Sequence, residues 1–106
     1  MSEGPTISTH VLDTEHGAPA AGIAIELFRF DGGTETRVGS GTTDDDGRIR
    51  RLLEGDLMHG EYRMTFTIAG AFFRQASVTF VVDDTTRSYH VPLLLAPYSL
   101  VTYRGS

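Results

Sequence analysis

The amino-acid sequence predicts an all-β domain, a sandwich or barrel of short strands, on three observations. Hydrophobic residues recur with period two in several windows, turn signals fall every ten residues or so, and no window carries a helical period of useful length. Taken in order, Ile7 to Asp13 is β-branched at Ile7, Thr9 and Val11, which suits a pleated surface. In Gly17-Ala18-Pro19-Ala20-Ala21-Gly22 the flanking glycines and Pro19 argue against a helix. Ile23, Ile25 and Leu27 then mark a strand over residues 21–30, and Asp31-Gly32-Gly33 suits a hairpin loop. A further run, residues 39–43, stops before Asp46-Gly47. The clearest alternation sets Tyr62, Met64, Phe66 and Ile68 against Glu61, Arg63, Thr65 and Thr67, one buried face and one polar face. Val78, Phe80 and Val82 repeat it against Ser77 and Thr79. Only residues 68–75 break the pattern, leaving room for about one turn of helix there, since a turn takes roughly four residues.

The segment Tyr89-His90-Val91-Pro92-Leu93-Leu94-Leu95-Ala96-Pro97-Tyr98 is apolar almost throughout. A strand that is apolar on both faces needs cover on both. In so short a chain a second subunit would supply it. Pro92 has no N–H, which makes any strand there an edge or an irregular one.

A length of 106 residues points to one domain spanning 1–106, with residues 1–5 expected to be flexible. A chain of this size buries roughly two-thirds of its unfolded surface, enough for one core. Hydrophobic residues at 40% and charged residues at 22% exclude a disordered composition. A net charge of −5 gives no electrostatic reason to expect nucleic acid or an anionic membrane as partner. With no cysteine, disulfides and thiolate metal sites are excluded. The first residues show no basic or apolar signal region, and the apolar run 91–97 is too short to span a bilayer, so a cytoplasmic protein is expected.

The chemistry-bearing candidates are few. His16 and His59 lie in loop-like stretches and read as solvated. His10 and His90 lie within predicted strands, His10 sharing a face with Ser8 and Leu12, and His90 with Pro92 and Leu94. Taken singly, each reads as a hydrogen-bonded structural histidine. They become functional only if they meet in space, which spacing does not show. No His pair has zinc-ligand spacing. Asp44-Asp45-Asp46-Gly47 lacks the alternating acids and closing Glu of a calcium loop and reads as a polar turn. No nucleophile elbow, phosphate loop or dinucleotide fingerprint occurs.

Three stretches together resemble the 5-hydroxyisourate hydrolase family, the enzymatic relatives of transthyretin. They are Ile7-Ser8-Thr9-His10-Val11-Leu12-Asp13-Thr14 with Gly17-Ala18-Pro19-Ala20-Ala21-Gly22; Thr43-Asp44-Asp45-Asp46-Gly47-Arg48; and the run from Tyr89 to Pro97 with terminal Tyr103-Arg104-Gly105-Ser106. The resemblance covers residues 6–106. It implies a transthyretin-like two-sheet β-sandwich with one short helix, placed near residues 70–75 and trimmed because residues 67–72 are shorter than the family's helical stretch. It also implies a homotetramer, a dimer of dimers with active sites in a shared channel, acting on a small-molecule substrate without metal or organic cofactor. Ala96, Arg74-Gln75 and Ser99-Leu100-Val101 depart from the family pattern without touching the chemical groups.

The same resemblance carries His10, Arg48, His90 and Ser106 into the catalytic site, with His10, Arg48 and Tyr103 binding substrate. The residue types suit the reaction. Adding water to a carbonyl requires a base, and histidine titrates near neutrality. At this stage His10 is the favoured base. Arg48 offers a forked donor for oxyanion character or a purine-like edge. Tyr103 offers a wall and a hydroxyl, and Ser106 a hydroxyl and, at a native terminus, a carboxylate. The rival readings are a non-catalytic transthyretin-type carrier of small molecules and a structural sandwich module.

Overall fold

A computed structural model describes residues 4–105. Among these residues there are ten strands and no helix. One sheet is an antiparallel ladder of β4 (Thr34–Thr42), β3 (Ala24–Asp31), β6 (Gly60–Thr67) and β7 (Gln75–Val82). The other is built around β1 (Ile7–Asp13). Antiparallel β2 (Ala18–Pro19) and β5 (Arg48–Ile49) pair with it, as do parallel β8 (Tyr89–His90) and β9 (Leu93–Ala96), and β10 (Ser99–Thr102) adds beyond β9.

The period-two expectation holds where it was clearest. Ile25 and Leu27 from β3 and Tyr62, Met64 and Phe66 from β6 are buried, facing Ile7 and Val11 of β1 and Tyr89, Val91 and Leu93. Two sheets with apolar inner faces bury them against one another, which makes this a sandwich. Thr9, buried between Ile7 and Val11, is satisfied by donating to the Val91 carbonyl at 2.6 Å. The hydroxyl of Tyr89 accepts the amides of Asp83 and Asp84 and donates to Asp83 Oδ1.

Leu52, Leu53 and Leu57, which carry no strand pattern, close one end of the core. Their connection is held by Leu52 N–H donating to Ile7 O and Glu54 N–H to Val38 O. It runs so close to β4 that a Cβ at Gly39 would overlap the Leu52 carbonyl.

The short helix implied by the resemblance is absent. Residues 68–74 form a loop between β6 and β7, closed by Ile68 N–H donating to Arg74 O at 2.9 Å and by Arg74 Nη1 donating to Gly70 O. One helical turn fixes about six dihedrals for a single hydrogen bond, and Gly70 adds further backbone entropy. With so few residues available, the hairpin closure wins.

The apolar C-terminal run is not one strand. It divides at Val91-Pro92 into β8 and β9, and Thr102 Oγ1 donates to the Pro92 carbonyl at 2.8 Å. Tyr89, Val91 and Leu93 are buried and His90 and Leu94 are half-buried, an alternation interrupted only by the buried Pro92 at the break between the strands. Of the expected flexible lead-in, Gly4 accepts a bond from Arg51 Nη1, and residues 1–3 lie outside the described residues. No helix among the described residues is long and apolar enough to cross a membrane.

Gly39→Ala should therefore destabilise the fold by about 2 kcal/mol or more, the cost of forcing atoms into a packed contact. Urea unfolding monitored by circular dichroism checks it; an unchanged midpoint would show that β4 and the Leu52 segment can separate freely.

Candidate active site

The inward side of β1 is taken by Ile7, Thr9 and Val11, so alternation turns Ser8, His10 and Leu12 to the outer face. Register then supplies their neighbours. β5 sets Arg48 opposite His10, β8 sets His90 opposite Ser8, and Gly105 bridges to His90 on the far side. Adjacent strands lie about 4.8 Å apart. Arg48 with His10, and two residues along β1 Ser8 with His90 and Gly105, thus form one staggered row across the sheet. The two strand histidines, far apart in sequence, come close enough for His10 to act electrostatically on His90.

Arg48 is presented by the turn before it. Asp44 Oδ1 accepts the amides of Asp46 and Arg48, both at 2.9 Å, and Gly47 N–H donates to Asp44 O at 2.8 Å. Those amide bonds, that of Arg48 foremost, hold the Asp44 carboxyl below its usual range. Gly47 has φ of +76° and lies against β1, where a Cβ would meet the Val11 carbonyl. Its own carbonyl accepts Val11 N–H at 2.7 Å. The acidic run is thus a turn, as its composition suggested. The Arg48 guanidinium makes no hydrogen bond or ion pair among the described residues, leaving its donor fork available.

His10 Nε2 lies 2.9 Å from the Asp46 carbonyl. A carbonyl only accepts, so Nε2 carries the proton and Nδ1 is left as the free nitrogen. At His90 it is Nδ1 that is anchored, 2.8 Å from Ser8 Oγ, and Nε2 has no hydrogen-bond partner among the described residues. Partial burial, then the charges of Arg48 and His10, push His90 below the ordinary histidine value of 6.5. It is therefore the neutral, proton-accepting imidazole at pH 7.

Beyond His90, Gly105 N–H donates to the His90 carbonyl at 2.8 Å. A Cβ on Gly105 would stand 2.5 Å from His90 Cδ2, so only glycine lets the ring lie flat there. Among the described residues, Arg104 and Tyr103 make their own contacts. The Arg104 guanidinium lies 4.7 Å from the centre of the Tyr89 ring, a cation–π contact on the inward-facing side of β8. Tyr103 is 53% exposed, hydrogen-bonds none of the three row residues, and lines a groove with Val78, Phe80 and Tyr89. Ser106 lies outside the described residues.

His16 is exposed, as expected, and pairs with Asp13 at 2.8 Å, which raises the imidazole and lowers the carboxyl. With Glu15 these residues bring three ligand-type atoms within 4.8 Å on a surface turn beyond the end of β1. The residues that sequence reasoning passed over are Ser8 and Asp46. Position i−2 from His10 was the one available signal for Ser8. The Asp46 carbonyl is a backbone group and carries no side-chain signature.

Fold and site together define a two-sheet β-sandwich that carries two imidazoles and an unpaired guanidinium on the outer face of one sheet, the groups that proton transfer and oxyanion binding require. The chain belongs to the HIUase/Transthyretin family, whose family model matches residues 7–105. It is 41% identical to a 5-hydroxyisourate hydrolase of Deinococcus radiodurans, with all of both chains covered. Its fold is similar to that of the Klebsiella pneumoniae 5-hydroxyisourate hydrolase, at TM-score 0.82 and 33% identity, covering 95% of this chain and 99% of that one. It is also similar to sea bream transthyretin in complex with thyroxine, at TM-score 0.85 and 27% identity over 93% of each chain.

Replacing Arg48 by Met removes one of the charges that depress His90. The His90 titration midpoint, followed by NMR of the ring protons, should move to higher pH. An unmoved midpoint would mean that the guanidinium does not face the ring.

Proposed function

We propose that this protein hydrolyses 5-hydroxyisourate to 2-oxo-4-hydroxy-4-carboxy-5-ureidoimidazoline. The observation that carries the proposal is the row of Arg48, His10 and His90 on one outer face, in a chain whose matched relatives include proteins named for this activity. A protein that only carried a small molecule would need no such row of proton-transfer groups, and this sets the transthyretin-type carrier reading second.

The row divides the labour. His90 Nε2 takes a proton from water as the water oxygen bonds to the ring carbonyl carbon. The base moves here from His10, which the residue types favoured: both rings have one nitrogen anchored, but burial and the Arg48 and His10 charges keep His90 neutral at rest. Arg48 receives the developing oxyanion with its unpaired fork. His10, with Nε2 tied to Asp46, orients the water or the substrate through Nδ1. The C–N bond then breaks, and the proton on His90 passes to the departing nitrogen. Tyr103 is assigned a substrate-facing wall. Ser106, the residue after Gly105 in the sequence, is assigned a catalytic hydroxyl.

The outer faces of β8, β9 and β10 support assembly. Leu94 is incompletely covered, and Val101 and Tyr98 are 51% and 77% exposed. A homotetramer, a dimer of dimers with the rows facing a shared channel, would cover them and exclude water from the reaction. The working location is the cytoplasm.

Two measurements test this. 5-Hydroxyisourate made from urate with urate oxidase is followed by its ultraviolet decay, with the spontaneous rate subtracted. The protein should accelerate the decay, and His10→Ala and His90→Ala should each lower the catalysed rate at least about tenfold. A near-normal rate in either variant removes that residue from the mechanism. Light scattering should give the mass of four chains, and an active monomer would rule out the shared channel.

A further inference from the structure

His90 is held from both sides. On the Gly105 side the contact is steric, with the ring lying against a position that admits no Cβ. On the other side the contact is polar. Ser8 Oγ stands 2.8 Å from His90 Nδ1, and both groups are partly buried. Ser8 and His10 are two residues apart on β1, so one strand face carries both a histidine and the hydroxyl that holds the other histidine. The backbone fixes the pair as well: Val91 N–H donates to Ser8 O at 3.0 Å, next to the Ser8–His90 register position.

We propose that Ser8 is a positioning residue for the hydrolysis, holding His90 by Nδ1 so that Nε2 alone is presented to the reacting atoms. This rests on the hydrolase reading given above. A hydroxyl suits the role better than a carboxylate, because it accepts Nδ1–H without bringing a charge to the ring. In the resting state Nδ1–H donates to Ser8 Oγ, and Nε2 holds the lone pair. When water gives up its proton, an O–H bond breaks and an Nε2–H bond forms. The imidazolium then has N–H on both nitrogens, and the Nδ1–H to Ser8 bond is kept. When Nε2–H passes its proton to the departing nitrogen, the ring returns to its starting tautomer. A carboxylate in place of the hydroxyl would hold the charged ring too firmly for that last transfer. The other groups facing His90 are His10 from β1 and Arg48 from β5, both of which disfavour the charged ring, and the uncharged Gly105 from the chain end.

The test is a double-mutant cycle in the ultraviolet decay assay on the full chain, using Ser8→Ala, His90→Ala and the double variant. Ser8→Ala should lower kcat about tenfold, in the range for removing the partner that orients a reacting imidazole, and leave KM within about twofold. The double variant should be no slower than His90→Ala alone, because Ser8 acts only through that ring. Nitrogen-15 NMR of the imidazole should show His90 as a single tautomer, protonated at Nδ1, in the parent, and as a mixture in Ser8→Ala. Circular dichroism guards against a folding defect, which would lower the double variant further and blur both NMR spectra. If His90→Ala is impaired while Ser8→Ala keeps full kcat, the positioning role is wrong and the hydrolase reading stands. Losses that multiply in the double variant would place Ser8 outside the His90 unit, overturning the proposal. Full activity in His90→Ala would instead overturn the mechanism on which it rests.

Discussion

Both edges of β1 are taken up by the backbone of other segments, and the position of nearly everything else follows from that saturation. In an extended strand the polar groups of successive residues point to opposite edges. The groups of Ile7 and Val11 face β5, β2 and the Leu52 segment, while those of Thr6 and Ser8 face β8. Buried backbone groups must be paired, so this short strand recruits β5, the Leu52 segment and β2 on one edge and β8 and β9 on the other. Side chains obey the perpendicular alternation. Ile7, Thr9 and Val11 enter the core, and Ser8 and His10 are left outside between the strands that bring Arg48 and His90. Core and site are two faces of a single seven-residue strand.

The electrostatics of the row follow from what it omits. Among the described residues, no carboxylate side chain bonds to Arg48, His10 or His90. The nearest acid turn spends Asp44 on its own amides and on Arg50, and it offers His10 a neutral carbonyl from Asp46. Partial burial, then the charges of Arg48 and His10, disfavour a positive charge on the His90 ring. An ion-paired arginine would have exerted less of that effect. A histidine that must take a proton near pH 7 gains from neighbours that keep it uncharged until the transfer.

The likeness to both a hydrolase and a thyroxine-binding transthyretin shows how little the sandwich by itself says about activity. The inner residues make the fold, and any set of apolar side chains of the right volume would serve. The outer residues of β1, β5 and β8 hold the groups of the proposed site. They face away from the core, so they can change without loss of folding.

Much of this was legible in sequence because period-two patterning and turn chemistry are local. The alternation of Tyr62, Met64 and Phe66, the turn at Asp46-Gly47 and the interruption at Pro92 all report the conformation of their own few residues. The resemblance added the residue set His10, Arg48 and His90 but not their arrangement. The helix near Gly70 was misplaced because the closing bond, Ile68 to Arg74, belongs to a hairpin whose strands had first to pair. Leu52, Leu53 and Leu57 gave no pattern because they are buried by irregular backbone rather than by a strand. The sequence by itself determined which residues alternate, where the chain turns and which chemical groups exist. Only the tertiary structure decided that His90 sits across from Ser8, that Arg48 sits across from His10, and that Arg104 turns to Tyr89 instead of joining them. Those are matters of register between strands distant in the chain, and register is set by long-range backbone pairing that no local pattern encodes.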